Sequence, residues 1–310
     1  MKNYQTLLFY KYVHLPDAEQ FAASHLKFCT ALGLKGRILV ADEGINGTVS
    51  GTVSSCRKYM DAFSDDPYFK GIEFKIHEED EISFSKMHVR YKKEIVHFGI
   101  DTEDLWKQRG EYLTPDEWME RMHDEDVVIL DVRNKLEWEL GKFKDAVTLD
   151  IEHFRELPDH LNELNSFKDK TVLAYCTGGI RCEKATAFLK QNGFENVFHL
   201  HGGIINYGKE TGGRDFDGKC YVFDKRLSVD VNSVNPTVIS RCYLCGKAET
   251  HMVNCANEEC NNHFVLCEEC GWKHEGCCSE SCRESPKKRR YDGSGYYSRG
   301  AVQKLSSNTF

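Results

Sequence analysis

The sequence predicts an α/β protein in three parts: a small N-terminal domain of strands and helices, a central parallel-sheet domain and a C-terminal cysteine-rich module. Three observations predict this order. Strand-like and helix-like segments alternate first, short apolar runs between helical patterns follow, and nine of the fourteen cysteines lie between Cys242 and Cys282. The predicted parts are 1–100, 113–218 and 238–284, followed by a basic disordered tail at 285–310.

Composition excludes several classes of protein. The 310 residues are 40% hydrophobic and 29% charged, which is typical of a folded chain rather than a disordered, collagen-like or coiled-coil one. No membrane span or secretory leader is visible, so we expect a cytoplasmic protein with no membrane partner. A net charge of −8 argues against a globally cationic nucleic-acid coat but leaves room for a local basic surface.

The N-terminal segment predicts a split β-α-β domain of the ferredoxin or acylphosphatase kind. The strand YQTLLFYKYV precedes a helical pattern in DAEQFAASHLKFCTALGL, and KGRILVADEGINGTVSG predicts two strands with Gly44 and Gly47 in the turn between them. A second helix, SSCRKYMDAFSDD, is followed by the strand GIEFKIHEE and a further β-rich segment, FSKMHVRYKKEIVHFG.

A second domain begins after a polar linker predicted at 100–112. Thr114 is the expected N-cap of its first helix, with Pro115 at the first helical position and Glu117 three residues after the cap. The continuously apolar runs DVVILDV and KTVLAYC lie between helices, which indicates a parallel sheet covered on both faces. The segments after these two strands should therefore line the functional site.

The segment after KTVLAYC carries the strongest catalytic signal. Cys176 ends the strand and Arg181 begins the next helix; the cradle between them is Thr177, Gly178, Gly179 and Ile180. Free N–H groups, the helix dipole and Arg181 all favour a thiolate, so we expect Cys176 to be a nucleophile with a lowered pKa. A buried structural cysteine is the alternative. Four residues separate Cys176 from Arg181, one fewer than in the phosphate-binding loop of protein tyrosine phosphatases. The shorter loop suits a single sulfur atom rather than a tetrahedral phosphate.

Three further motifs accompany this loop: Asp131-Val132-Arg133, the segment EWELGKFKDA at 137–146, and His201-Gly202-Gly203-Ile204. Together with the loop, they resemble the rhodanese domain over about 114–210. The resemblance implies that Cys176 carries a persulfide, that Arg181 orients the loop, and that Asp131 and Arg133 support it. Lys142 departs from the usual His, and Cys182 stands where Ser or Thr is common. Cys182 is either a core residue or a resolving thiol that discharges an oxidised Cys176.

The C-terminal cysteines predict metal binding. Their spacing forms four successive pairs, which supply eight ligands for two closed structural zinc sites. A cross-braced arrangement leaves Cys277 spare and divides the ligands into Cys242, Cys245, Cys267 and Cys270 around one ion and Cys255, Cys260, Cys278 and Cys282 around the other. The alternatives are one ion only, a histidine in place of a thiolate, or free or oxidised cysteines.

A basic and aromatic run near the end of the first domain is a candidate RNA-binding surface. It contains Lys86, His88, Arg90, Tyr91, Lys92 and Lys93. RNA sites combine basic groups with aromatic planes, whereas a solvated strand is the alternative interpretation.

The first domain contains the motif Ala41-Asp42-Glu43-Gly44-Ile45-Asn46-Gly47-Thr48. With this motif, the order of the parts resembles that of the tRNA uridine 5-hydroxylase family over nearly the whole chain. The resemblance implies oxygen-dependent hydroxylation of the wobble uridine of tRNA, with the rhodanese cysteine essential and molecular oxygen as co-substrate. No flavin, haem or non-haem iron motif stands out in the sequence. The alternatives are a sulfurtransferase that moves persulfide sulfur from thiosulfate or a donor protein, and a non-catalytic zinc-containing RNA adaptor.

Overall fold

The computed structural model describes residues 2–100 and 109–295. The chain divides into two compact units, Met1–Thr237 and Val238–Phe310. The first unit holds both the N-terminal domain and the central domain, and the second holds the cysteine-rich module. Among the described residues, no helix combines the length and the apolar character needed to cross a membrane.

The N-terminal domain is a five-stranded sheet with two helices on one face. Its elements are β1 (Tyr4–Tyr12), α1 (Ala18–Ala31), β2 (Lys35–Ala41), β3 (Gly44–Thr52), α2 (Val53–Asp65), β4 (Phe74–Glu79) and β5 (Met87–Tyr91). The strand order is β4-β1-β3-β2-β5, antiparallel except for the parallel pair β2 and β5. Alternate residues such as Leu7 and Phe9 of β1 lie in the hydrophobic core with Tyr59 and Phe63 of α2.

The turn between β2 and β3 differs from the sequence prediction. It consists of Asp42 and Glu43, and Gly47 lies inside β3. A Cβ at position 47 would stand 2.6 Å from the Phe9 ring, so this glycine is required for close packing rather than for a turn. Gly44 is the first residue of β3 and directly follows the turn. Its φ is near +141°, and a Cβ there would stand 2.1 Å from the Lys11 carbonyl oxygen.

The central domain is built on a parallel sheet of order β6-β11-β10-β7-β9. Its strands are β6 (Glu111–Leu113), β7 (Val127–Asp131), β9 (Val147–Thr148), β10 (Thr171–Tyr175) and β11 (Val197–Leu200). Helices α3 (Pro115–Arg121), α4 (Lys135–Leu140), α5 (Leu161–Leu164), α6 (Ile180–Gln191) and α7 (Gly203–Thr211) connect them, with 3-10 turns at Phe154–His160 and Asn165–Phe167. A small antiparallel sheet contains β8 (Gly141–Phe143), β12 (Phe216–Tyr221) and β13 (Ser228–Asp230).

The start of the central domain is partly as predicted. Thr114 caps α3 in a capping box with Glu117, and Pro115 occupies its first turn, which confirms the predicted helix start. The predicted linker at 100–112 lies mostly outside the described residues. Its predicted C-terminal boundary at residue 112 is wrong. Residues 111–113 form β6, which pairs with β11 and so belongs to the sheet.

The helix-free face of the N-terminal sheet contacts the central domain. Lys184 of α6 is almost fully buried and binds the Glu43 carboxylate at 3.0 Å, the Glu94 carboxylate at 2.7 Å and the Val96 carbonyl oxygen at 3.1 Å. Breaking a buried ion pair costs about 3–5 kcal/mol because a charge is left uncompensated. Lys184 therefore couples the N-terminal domain to the helix that begins at the Cys176 loop.

The second unit is small and irregular. It contains a hairpin of β14 (Met252–Asn254) and β15 (His263–Val265) and two short helices, α8 (Glu268–Lys273) and α9 (Glu280–Arg283). The predicted disordered tail begins too early. Arg289 donates to the Cys255 carbonyl oxygen at 2.7 Å and Tyr291 is buried in the same cluster, so residues 285–295 belong to this unit. Residues 296–310 lie outside the described part of the chain.

Candidate active site

The Cys176 loop joins the end of β10 to the start of α6. Gly179, with φ near +103°, adopts the left-handed conformation that favours glycine. Its N–H donates to the Cys176 sulfur over 3.1 Å. The N–H groups of Arg181 and Cys182, in the first turn of α6, also hydrogen-bond this sulfur. Cys176 therefore lies at a helix N-terminus among donated amides, a setting that stabilises an anion.

Two opposing effects act on the Cys176 thiol. Its complete burial raises the pKa, because the charged sulfur loses its hydration. Hydrogen bonds from Cys182 and from the backbone, together with the Arg181 charge, outweigh burial and lower the pKa of Cys176 to about 5. By contrast, burial raises the pKa of the Cys29 thiol to about 12 and that of Cys56 to about 11. Cys176 is therefore ionised at neutral pH, unlike an ordinary buried cysteine.

Arg181 acts on the loop through a carboxylate that the sequence analysis did not single out. Its guanidinium forms two hydrogen bonds to Glu137 of α4, at 2.5 and 2.8 Å, and one to the Thr177 hydroxyl at 3.2 Å. Thr177 in turn donates to Glu137 over 3.2 Å. This buried bidentate pair holds the positive charge beside the thiolate. Glu137 is the first residue of the EWELGKFKDA segment. Its acidic side chain in this motif is the feature of the sequence that could have identified it as the partner of Arg181.

Asp131 and Arg133 form a second buried pair below the loop. Arg133 donates to both Asp131 carboxylate oxygens, at 2.6 to 3.2 Å, and to the Gly141 carbonyl oxygen at 2.6 Å. The Tyr175 hydroxyl donates to Asp131 over 2.6 Å. These contacts join the ends of β7 and β10 to β8. Tyr175 directly precedes Cys176, so the pair is linked to the loop through this residue; the supporting role of Asp131 and Arg133 stays a prediction.

Cys182 is fully buried in the same hydrophobic cluster as Cys176. Its thiol hydrogen-bonds the Cys176 sulfur. Burial, and then the neighbouring thiolate, raise the pKa of Cys182, so a neutral thiol faces an ionised one. This placement is compatible with both predicted roles of Cys182, core residue and resolving thiol.

Side chains of the N-terminal sheet cover the loop. A Cβ at Gly178 would stand 3.0 Å from Leu8, and one at Gly179 would stand 2.9 Å from the Tyr10 hydroxyl. The Tyr12 hydroxyl donates to the Ile180 carbonyl oxygen over 3.3 Å. The two loop glycines therefore make room for β1 as well as for the turn. The sequence analysis missed Leu8, Tyr10 and Tyr12, because no local pattern shows which domain faces the loop.

A buried carboxylate, Glu183, lies next to this cover. Its Oε1 accepts hydrogen bonds from the Tyr10 hydroxyl at 3.3 Å and from the Tyr112 hydroxyl, and its Oε2 accepts one from Arg109 at 3.3 Å. Burial raises the pKa of Glu183, and these donors oppose that rise. The Lys75 ammonium lies 5.3 Å from the centre of the Tyr10 ring. Polar groups from both domains therefore meet beside the thiolate.

The predicted RNA-binding run is divided between two faces of the N-terminal sheet. Lys86, His88 and Arg90 are exposed and alternate along the edge of the helix-free face, where Arg37 of β2 pairs with His88. Tyr91 points to the other face and donates to Asp42 over 3.4 Å. Lys92 and Lys93 follow the strand and are exposed; the structure adds Arg37 to the set and separates Tyr91 from it.

The cysteine-rich unit brings together the two predicted ligand sets. The sulfurs of Cys242, Cys245, Cys267 and Cys270 lie within 4.8 Å of one another, as do those of Cys255, Cys260, Cys278 and Cys282. Individual separations are 3.7 Å for Cys245 to Cys267, 3.6 Å for Cys260 to Cys278 and 3.8 Å for Cys278 to Cys282. A tetrahedral zinc ion with bonds of about 2.3 Å separates its sulfur ligands by about 3.8 Å. Both clusters therefore fit zinc, and neither shows the much shorter separation of a disulfide.

Comparison with known proteins covers every part of the chain just described. Residues 4–95 match the model of the UPF0176 acylphosphatase like domain, 114–210 that of the rhodanese-like domain and 217–283 that of the rhodanase C-terminal region. A curated protein of Cytophaga hutchinsonii, named tRNA uridine(34) hydroxylase, is 52% identical over 96% of this chain and 95% of its own length. A protein of the same name from Streptococcus sanguinis is 51% identical over 77% of this chain and 76% of its own length.

The lowered pKa predicts how Cys176 reacts with alkylating agents. We expect its alkylation rate to be near its maximum at pH 7 and to fall as the pH drops through about 5, because the thiolate is the reactive form. Trypsin releases Cys176 alone in the peptide 171–181, so mass spectrometry of that peptide gives its rate. Cys29 and Cys56, whose pKa values are raised, serve as internal controls. A Cys176 rate that still rises steeply between pH 7 and 9 contradicts an ionised sulfur.

The sulfur geometry predicts two zinc ions for each chain, measurable by elemental mass spectrometry on purified protein. Cys242→Ser removes one ligand from the first cluster, and we expect it to lower the content to about one ion. Cys277→Ser is the matched control, since Cys277 belongs to neither cluster and its thiol lies 3.7 Å from the Glu275 carbonyl oxygen. An unchanged zinc content in Cys242→Ser shows that the clusters are not the binding sites.

Proposed function

Because the chain belongs to the tRNA uridine(34) hydroxylase family, we propose that it hydroxylates the wobble uridine of tRNA through the thiolate of Cys176. The observation that carries the second half of this proposal is the buried, ionised sulfur at the start of α6. The product is 5-hydroxyuridine and molecular oxygen is the co-substrate, as the family resemblance implies. A tRNA substrate implies that the enzyme works in the cytoplasm.

The thiolate supplies the nucleophile. Carbon 5 of uracil is part of a conjugated enone, and a thiolate that adds to carbon 6 makes carbon 5 electron-rich. The Cys176 sulfur forms a bond to carbon 6, and the electron pair of the carbon 5–carbon 6 double bond moves toward the carbonyl oxygen O4. Molecular oxygen and a two-electron donor together supply an oxidant at the level of a peroxide. Carbon 5 attacks one oxygen of this peroxide, the O–O bond breaks, and the other oxygen leaves as hydroxide. Hydroxide takes the carbon 5 proton to form water, and the carbon 5–carbon 6 double bond re-forms as the thiolate leaves. The amides of Gly179, Arg181 and Cys182 hold the sulfur in place before addition and stabilise its charge on release.

The zinc clusters have a structural role in this proposal. A site closed by four thiolates leaves no position for substrate, so the two ions stabilise the fold of a unit that has little apolar core of its own. The reaction is therefore assigned to the first unit, where the isolated thiolate lies.

The helix-free face of the N-terminal sheet is the proposed tRNA surface. Leu8 lies over the loop, and the strand pairing Leu8–Thr48–Arg37–His88 runs across this face. Three strand spacings separate Leu8 from His88, or about 14 Å. The next set of paired residues across the four strands likewise begins at Tyr10 on β1 and ends at Arg90 on β5. Phosphates bound by the basic edge would therefore lie near the base that enters over Cys176.

Replacing Cys176 tests the catalytic half of the proposal. We expect Cys176→Ser to abolish 5-hydroxyuridine in tRNA of a deletion strain, measured by nucleoside mass spectrometry, because a serine hydroxyl is not ionised at neutral pH. Cys56→Ser is the control, since a hydroxyl can replace the thiol that donates to the Gln5 carbonyl oxygen. Wild-type levels of 5-hydroxyuridine in the Cys176→Ser strain would falsify the assignment.

Reversing charge on the sheet edge tests the RNA surface. We expect the double variant Arg37→Glu with Arg90→Glu to weaken tRNA binding at least about ten-fold. We also expect the slope of log affinity against log salt to fall by about 0.7–0.9 for each phosphate that the variant no longer binds. Arg57→Glu with Lys58→Glu makes the same charge change on exposed residues of α2, on the opposite face. Equal affinities for the two variants rule out a tRNA surface on the helix-free face.

A further inference from the structure

We propose that Tyr10, contributed by the N-terminal domain, is a further catalytic residue of the Cys176 site, with Glu183 as its positioning residue. Its hydroxyl donates a hydrogen bond to the carbonyl oxygen O4 of the bound uracil. This inference rests on the proposed function. It concerns a residue outside the rhodanese-like domain and gives the N-terminal domain a chemical role in addition to RNA binding.

Tyr10 lies directly against the Cys176 loop. Tyr10 is on the helix-free face of β1, is half-buried, and has its hydroxyl against Gly179, the residue whose N–H holds the Cys176 sulfur. Leu8, two residues earlier on the same face, covers Gly178. A uracil that reaches Cys176 must therefore pass next to these two side chains. Leu8 is apolar, so the Tyr10 hydroxyl is the group of the two that can form a hydrogen bond with the uracil.

The hydrogen bond between Tyr10 and Glu183 is long. The Tyr10 hydroxyl lies 3.3 Å from Glu183, longer than the roughly 2.5–2.7 Å of a strong hydrogen bond from a hydroxyl to a carboxylate. Glu183 also accepts from Tyr112 and Arg109, so it stays hydrogen-bonded when Tyr10 turns away. The Tyr10 hydroxyl can therefore transfer its hydrogen bond to a substrate oxygen at low cost. Glu183 keeps the phenol at the edge of the loop until then.

Burial and the charges around Tyr10 keep its hydroxyl protonated. Tyr10 lies within electrostatic reach of four acidic groups, Glu183, Tyr112, Cys176 and Cys182, and burial followed by these groups raises its pKa. The phenol therefore remains protonated and acts as a donor. The Lys75 ammonium lies over its ring; burial lowers the pKa of Lys75, and the charges of Glu73, Cys176 and Glu183 oppose that change. The protonated Tyr10 phenol, with the Lys75 ammonium nearby, can therefore stabilise negative charge that develops on uracil O4.

The chemistry needs such a donor. When the Cys176 sulfur bonds to carbon 6, the displaced electron pair places negative charge on O4. A hydrogen bond from Tyr10 stabilises this enolate without transferring a proton. The charge leaves O4 when carbon 5 bonds to oxygen, develops there again as carbon 5 loses its proton, and passes to the sulfur when the thiolate leaves. A donor that strengthens its bond as charge develops lowers the barrier more than it tightens substrate binding.

Tyr10→Phe removes only the hydroxyl and tests the proposal directly. We expect kcat to fall about 100-fold, as for the loss of one donor to an oxyanion, with the Kd for tRNA and the pH profile of Cys176 alkylation unchanged. Tyr4→Phe is the matched control: the same change on the same face of β1, about 20 Å along the strand. We expect its kcat to equal that of the wild type.

Glu183→Gln tests the positioning role. We expect it to lower kcat in the wild-type background but to add nothing in the Tyr10→Phe background, because it acts through Tyr10. A structural role predicts additive losses in the two backgrounds instead, and additivity would overturn the assignment of Glu183.

The outcomes separate this inference from the proposed function. If Cys176→Ser is inactive and Tyr10→Phe retains wild-type kcat, the Tyr10 proposal is wrong and the role of Cys176 stands. If Tyr10→Phe loses activity while its Cys176 alkylation profile shifts or its tRNA binding weakens in proportion, Tyr10 acts by packing and the proposal is overturned. If Cys176→Ser remains active, the proposed function itself fails.

Discussion

The balance between burial and hydrogen bonding at one sulfur determines how the rest of the first unit is built. A buried thiolate is unfavourable unless fixed dipoles and charges replace its hydration. Here the replacement comes from the amides at the start of α6, from the Cys182 thiol and from Arg181. Arg181 is itself a buried charge, so it requires Glu137. One anionic sulfur therefore accounts for a glycine turn, a cationic side chain and an acidic partner on another helix.

Docking of the N-terminal sheet completes the environment of this sulfur. Leu8 and Tyr10 lie against the loop glycines, Cys176 is fully buried, and the ion pairs of Lys184 with Glu43 and Glu94 hold the sheet and α6 together. Lys184 lies on the same helix as Arg181 and Glu183, so a shift of the sheet would disturb the loop directly. Excluding water strengthens the hydrogen bonds that hold the thiolate. The two domains of the first unit therefore act together on one site.

Features that depend on local chain geometry could be predicted from the sequence. The capping box at Thr114, the parallel sheet and the sulfur sets of the cysteine-rich unit follow from spacing alone. Tyr10 and Glu183 could not be predicted, because strand alternation places Tyr10 on a face without saying what that face contacts. The predicted turn position of Gly47 is wrong for a similar reason: its need for glycine comes from the Phe9 ring on the neighbouring strand. The contacts of Arg289 and Tyr291 likewise join segments far apart in sequence.

Cysteine serves three purposes in this chain, and surroundings rather than residue type decide between them. Cys29 and Cys56 lie among hydrocarbon side chains, where burial keeps the thiol neutral and it contributes as a small apolar group. The eight clustered sulfurs share their surroundings with one another, so a cation is what can hold four of them close together. Cys176 has backbone amides, the Cys182 thiol and the nearby Arg181 charge around it instead of other thiolates or a metal site. Cys176 therefore differs from the other two groups, because its charge is balanced by hydrogen-bond donors and a guanidinium rather than removed by protonation or shared with a metal ion.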